Sequence, residues 1–194
     1  MSDLHCPVRI ILARHGEAEY ETAGMHGAGG SLTTLGRAQA HALGDRLRAE
    51  RVAAVCCSEL ARAVQTAEIA AAALGLPVRV REGLHEFPPG DFFGLPYDQV
   101  FFGAMVTSWL AGDLSVGVPG GETGRATADR VLTILDDLAD RFRGETVLVV
   151  GHGGVILALW GAIAPGSPEA PAHDRVANAS TYVFERDADG WRVG

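Results

Sequence analysis

The sequence predicts an α/β protein: a three-layer α/β/α sandwich around a mostly parallel central sheet. Short apolar runs rich in β-branched residues, "VRIILA" at 8–13, "VAAVCC" at 52–57 and "TVLVV" at 146–150, each run into polar or glycine residues. Strands buried on both faces read this way. Long segments of helical character separate the runs, and alternating strands and helices imply parallel strands joined by crossovers, with helices on both faces of the sheet.

Each element follows in order. The strand over 8–13 leads to a helical segment at 34–50, "TLGRAQAHALGDRLRAE". After the strand at 52–57, a helix over 59–75 keeps Leu60, Val64, Ala67 and Ala71 on one face while Arg62, Gln65 and Glu68 fall elsewhere. Gly75 and Pro77 end it. A third helix runs through 122–144 and closes at Gly144 before the strand at 146, and a fourth begins after Gly153 with "VILALWGAI". The tail at 181–193 reads as a hairpin turning at Asp189 and Gly190. The stretch 83–121, with "EFPPGDFFGLPYD" and "VGVPGGET", is the least regular and reads as a restrained loop that roofs a site. A chain of 194 residues suits one core of ordinary size, so a single domain over 1–194 is expected.

Composition narrows the function. A net charge of −8 argues against a general nucleic-acid binder, whose affinity rests on massed basic residues. A local cationic pocket is compatible with an acidic chain. No segment approaches the roughly 18 apolar residues of a membrane span, and the N-terminus lacks the features of a secretory signal. Cys6 stands alone, and Cys56 and Cys57 are adjacent, a spacing that fits neither a zinc site nor a redox pair. Buried, reduced thiols in a cytoplasmic protein are the expectation. Nothing requires a partner to complete the core, so a monomer or a homodimer is expected.

The chemistry converges at strand ends. Arg14 and His15 follow the first strand, Ser58 and then Arg62 the second, and Gly151, His152 and Gly153 the third. In a parallel sheet the carboxyl ends share one edge, where open α/β folds bind ligands. Two arginines and two histidines gathered there suit an anion, above all phosphate, which arginine meets with paired donors. Helix N-termini near 59 and 153 would add backbone N–H groups, and Gly16 and Gly153 would let the backbone come close to a ligand. One imidazole is expected to stay neutral as a nucleophile while the other charges and steadies the phosphoryl oxygens. The histidines lack the converging ligands of a metal site, so no metal and no cofactor are expected.

These residues carry a resemblance. The chain resembles the histidine phosphatase superfamily, the phosphoglycerate-mutase-like group, in the triplet Arg14-His15-Gly16. "LTTLGRAQA" at 32–40, "SELARAVQTA" at 58–67, "LHE" at 84–86, "PGGET" at 119–123 and "VVGHGGVI" at 149–156 follow in the family's order. The resemblance implies a phosphoglycerate-mutase-like fold. It implies that His15 attacks phosphorus to form phosphohistidine while Arg14, Arg62, His152 and Gly153 hold the phosphoryl group. It also implies that Glu86 protonates the leaving alkoxide and later helps deprotonate water. Burial among Leu84, Phe87, Phe92 and Phe93 is the expected means of raising the Glu86 pKa.

Some positions depart from the family's pattern. Glu21 stands where many relatives have a phosphate-contacting asparagine, small residues fill "GAGGSLT", and Phe92-Phe93-Gly94 replaces a frequent "WEG". These changes bear on specificity more than on reaction type. His26 and His85 have no assigned role, Ser58 reads simply as a helix N-cap, and the aromatics from Phe87 to Phe102 read as core or lid packing. The leading expectation is a metal-independent phosphatase acting on a small phosphomonoester, with no nucleic-acid or membrane partner. A mutase is the nearest alternative, although 88–120 contains no Lys or Arg. A non-catalytic phosphate-binding module and a metal hydrolase are more distant ones.

Overall fold

The computed structural model describes residues 6–21, 24–171 and 176–194. Its main sheet has six strands: β1 (Val8–Arg14), β4 (Val52–Cys57), β5 (Val78–Val80), β6 (Thr146–Gly151), β7 (Thr181–Asp187) and β8 (Gly190–Val193), in the spatial order β5-β4-β6-β1-β7-β8. The first four in that order are parallel, and β7 and β8 add an antiparallel edge. A separate small ladder pairs β2 (Ala18–Glu19) with β3 (Ser31–Leu32). This is the α/β fold with a mostly parallel sheet that the sequence predicts.

Alternation along the strands builds two cores. Ile11, Ala13, Val55, Cys57, Leu148 and Val150 pack on one face of the sheet against α1 (Thr34–Leu47) and α2 (Ala61–Leu74). Ile10, Leu12, Cys56, Val147 and Val149 face the other way, toward α3 (Gln99–Leu110), α4 (Gly124–Arg141) and α5 (Gly153–Ile163). With both faces covered, neither parity of the strand can be polar, which is why the runs are continuously apolar. Each fully buried Ile or Leu contributes about 1.5–3 kcal/mol of transfer free energy. On the first face the small residues of α2 bring α1 close: a Cβ added at Gly44 would lie 2.8 Å from the Ala70 carbonyl oxygen.

Several elements differ from the sequence-based expectation. The segment 83–121 holds a twelve-residue helix, α3. Its apolar residues run right round it, so no polar face marks the helical period, and only Asp98, which accepts from the Val100 and Phe101 N–H groups, announces its start. The helix expected from 59 begins at Ala61, and Ser58 lies ahead of it, accepting from the Leu60 N–H rather than capping the helix. Helix α4 is shorter at both ends than 122–144, with Thr123 as N-cap. The hairpin turns one residue early, so that Gly190 opens β8. The short edge strand β5 has no counterpart in the sequence reading, since at three residues it is too brief for a periodic pattern.

Candidate active site

Strand register brings the site together. Arg14 pairs with Gly151 and Cys57 with Val150, so the residues that follow all three strands emerge at one level. The backbone continues the ladder one step beyond: the His15 N–H donates to the Gly151 carbonyl and the Ser58 N–H to that of Val150, each at 3.0 Å. The His15 and His152 rings lie 5.3 Å apart between centroids.

His15 is 5% exposed and held in one tautomer. Its Nδ1 lies 2.7 Å from the Gly16 carbonyl oxygen, which can only accept, so Nδ1 carries the proton. Nε2 is left with its lone pair, and the Nε–H of Arg62 donates to it at 3.2 Å. Burial, with Arg62 and Arg14 nearby, lowers the pKa of His15 to about 3 against the opposing hydrogen bond to Gly16. The imidazole is therefore neutral at physiological pH, the state a nucleophile requires.

Arg62 is itself buried at the start of α2, where its Nη1 donates to the Gly29 carbonyl at 2.8 Å and its guanidinium lies over the Tyr20 ring, 5.6 Å from the ring centroid. Thr66, one turn on, donates to the Arg62 carbonyl and accepts the Gly16 N–H, tying the helix to the loop after β1. Arg14 reaches from the end of β1 to the Val176 carbonyl through Nη1, while its Nε is buried without a hydrogen-bond partner among the described residues.

His152 is fully buried, with Nε2 2.9 Å from Ser58 Oγ and Nδ1 without a hydrogen-bond partner among the described residues. The expectation that this second imidazole charges is not met in this structure. Burial first, then Arg62 and the neighbouring histidines, holds its pKa well below the usual value. Both rings are neutral here chiefly because they are buried, and the two guanidinium charges add to the effect.

Glu86 is placed by backbone amides. Its Oε2 accepts the Gly154 N–H at 2.8 Å, and its Oε1 accepts the Val155 and Phe87 N–H groups at 3.1 Å. The N-terminus of α5, expected to meet phosphate, is thus occupied by a carboxylate at these two amides. Burial raises the pKa of Glu86, opposed by the amides and the arginines. A Cβ on Gly154 would fall 2.2 Å from Phe87 Cε1 and 2.6 Å from Glu86 Oε1, so only glycine admits the carboxylate there.

Arg14, His15, Arg62, Glu86 and Gly153 line one cavity of about 340 Å³, while His152 stands against His15 outside its lining. Gly16 has a different task from the one its position suggests. Its added Cβ would meet the Gly36 carbonyl oxygen at 2.5 Å, so it admits helix α1 rather than a ligand. Of the departures, Glu21 is exposed and belongs to a neighbouring cavity with Phe93, outside the first. His26 lines both cavities, and His85 pairs with Glu59 at 2.8 Å.

Sequence reasoning missed a support for Glu86. Arg130 on α4 donates through Nη1 to the carbonyls of Gly83 and His85, at 2.6 and 3.0 Å, just ahead of Glu86. Its Nε and Nη2 grip Glu122 at 3.2 and 2.7 Å, and Thr127 donates to the same carboxylate. Glu122 sits in the quoted "PGGET" block, whereas Arg130 looks like any helix-surface charge.

Cys56 and Cys57 are buried as expected, and burial pushes the Cys57 thiol up to about 12, but Cys6 is exposed. Among the described residues, no group of three or more His, Cys, Asp or Glu gathers as a metal site needs, and no helix is long and apolar enough to cross a membrane.

A parallel sheet whose strand ends converge on two histidines and two arginines defines a phosphoryl-handling enzyme of the phosphoglycerate-mutase-like fold. Residues 10–194 match the histidine phosphatase superfamily (branch 1), and the chain belongs to that family of enzymes. It is 33% identical to phosphoglycerate mutase-like protein 4 of Arabidopsis thaliana, covering 95% of this chain and 82% of that protein. It is 32% identical to the metal-independent phosphoserine phosphatase of the same plant, over 95% of this chain and 79% of the other. Among solved structures it is similar to a mycobacterial glucosyl-3-phosphoglycerate phosphatase in complex with inorganic phosphate, at 27% identity and a TM-score of 0.74, covering 96% of this chain and 95% of that one.

Proposed function

We propose that the protein is a metal-independent phosphomonoesterase that hydrolyses a small phosphorylated metabolite through a phosphohistidine intermediate. The observation that carries this reading is the His15 tautomer: a neutral imidazole with its proton on Nδ1 and its lone pair on Nε2, where it accepts from Arg62 until a phosphoryl group draws that N–H away. Arg14 Nε and His152 Nδ1, without partners among the described residues, are further buried polar atoms in need of a partner, as phosphoryl oxygens would be.

The reaction follows from these groups. Nε2 of His15 attacks phosphorus as the ester P–O bond breaks, with Arg14 and Arg62 offsetting the charge on the phosphoryl oxygens. Glu86, with its raised pKa, gives its proton to the leaving alkoxide. Oε2 is the better seat for that proton, because it serves one amide while Oε1 serves two. In the second half, water attacks the phosphohistidine, Glu86 recovers a proton from it, and inorganic phosphate leaves with His15 restored. The whole chain serves as one catalytic domain. Buried, unpaired Cys56 and Cys57 suit a reducing compartment such as the cytoplasm.

The test is phosphate release from a panel of phosphomonoesters with EDTA present and His15→Ala in parallel. Release that survives EDTA and disappears in the variant, with an acid-labile phosphoenzyme in a rapid quench, is the expected result. Transfer of the phosphoryl group to another hydroxyl in place of release would assign a mutase. Binding without turnover would assign a phosphate-binding module.

A further inference from the structure

The cavity changes character away from the phosphate-handling cluster. Beyond Arg14, His15 and Arg62, its walls are Met25, Phe87, Tyr97, Phe102, Leu157 and Val176. The wall is built in advance: Tyr97 and Phe102 stack at 4.8 Å and 12°, and Phe87 lies nearly parallel to Phe102 at 6.0 Å. Phe102, Leu157 and Val176 are core residues, at 1%, 4% and 3% exposure, so this wall has little freedom to rearrange.

Charge points the same way. Among the described lining residues the fixed cations are Arg14 and Arg62, and Glu86 is the proton donor of the reading above. Both arginines belong to the phosphoryl group in the reading above. A second acidic group on the substrate would be desolvated against aromatic rings, with no further cation among those residues to meet it. An apolar body suffers no such penalty and gains from burial.

The apolar character continues outside. Phe93, Leu95, Tyr97 and Val100 are 65%, 50%, 54% and 83% exposed on the segment that roofs the cavity. A second cavity of about 290 Å³ shares Tyr20 and His26 with the first and has Phe93 in its wall. Apolar surface grouped at the mouth of a pocket marks a surface used for binding.

We infer that the preferred substrate is a phosphomonoester with a compact apolar or aromatic body and no second acidic group. The inference rests on the phosphatase reading and sharpens it. A ring packs against the wall formed by Phe87, Tyr97 and Phe102 while its ester phosphate sits at His15. Larger bodies extend past Tyr20 and His26.

The test compares kcat/KM for 1-naphthyl phosphate and p-nitrophenyl phosphate with that for O-phosphoserine and 3-phosphoglycerate, whose carboxylates supply the second acid. Since p-nitrophenol is a good leaving group, benzyl phosphate is added to match the alkyl esters in leaving-group chemistry. Benzyl phosphate is expected to exceed both carboxylate esters by at least about 10-fold. Tyr97→Arg, placed at an exposed position, should narrow that ratio by roughly 10-fold, and Met25→Arg serves as a second cation if the first variant folds poorly. Equal or better turnover of the carboxylate esters by the unaltered protein would overturn the inference and leave the phosphatase reading standing. Failure to hydrolyse any ester, p-nitrophenyl phosphate included, would overturn both.

Discussion

Arg62 donates from Nε to His15 Nε2 across 3.2 Å, while the other imidazole nitrogen donates to the Gly16 carbonyl. The pair lies 47 residues apart in sequence and is brought together by the placement of α2 directly after β4. The guanidinium offers Nε to the ring and Nη1 to Gly29 at once, a geometry that a single ammonium cannot reproduce. Arg62→Lys is therefore expected to lower kcat/KM by about 10²–10³-fold with little change in secondary structure. Steady-state kinetics beside circular dichroism checks this, and a loss below about 3-fold would remove Arg62 from the site.

Acid should destabilise the protein through its histidines. His15 has its pKa lowered from 6.5 to about 3, chiefly by burial, and His152 is lowered well below 6.5 for the same first reason. Between the folded and unfolded values the unfolded chain binds more protons, so stability is full above pH 6.5 and is lost as pH falls toward 3. The slope approaches about 1.4 kcal/mol per pH unit for each histidine. Glu86 works in the opposite sense: with its pKa raised above 4.5, its contribution is present below that value and lost as pH rises through the folded one. Urea unfolding from about pH 7 down to about pH 5 should show the decline, and His15→Asn should make it shallower by one proton.

Gly154 is a packing requirement of the candidate acid. Ala at this position would bring a methyl within 2.2 Å of the Phe87 ring and 2.6 Å of the Glu86 carboxylate. Overpacking of this kind costs about 1–3 kcal/mol. Turnover of alkyl esters, which need a proton donor, should fall more than that of p-nitrophenyl phosphate. Equal losses on both ester types would mean that Glu86 is not the acid displaced.

Arg130 acts through the loop that carries Glu86. Arg130→Gln removes the bridge between the Glu122 carboxylate and the carbonyls of Gly83 and His85. Displacing the loop by a fraction of its width is enough to cost roughly 10- to 100-fold in kcat for alkyl esters. A pH profile separates positioning from simple loss of stability: its limb assigned to Glu86 should move, and Arg130→Lys, which holds one side of the bridge only, should recover little. An unchanged profile would assign Arg130 a structural task alone.

Legibility from sequence followed the physics of each element. Strands β1, β4 and β6 were readable because they are buried on both faces, which forces continuous apolar runs. Helices α1, α2 and α4 were readable because each presents one face to a sheet. Helix α3 was not, since it packs its inner side on the core and leaves Val100 exposed on its outer side, so no polar stripe marks it. The strand-end residues Arg14, His15, Arg62 and His152 were readable as one cluster because a parallel sheet delivers all its carboxyl ends to one edge.

By itself the sequence determined the layer architecture, the edge at which chemistry collects and the residue types gathered there, since these depend on local periodicity and chain order. Tertiary structure alone decided the proton on His15 Nδ1, the neutrality of His152, the docking of Glu86 on the first amides of α5 and the Arg130 bridge behind it. The reason is that these are properties of contacts rather than of segments. A tautomer depends on which carbonyl lies within hydrogen-bond reach, and a pKa depends on how much water and charge surround the group. Both arise only when residues distant in the chain close around the same few ångströms.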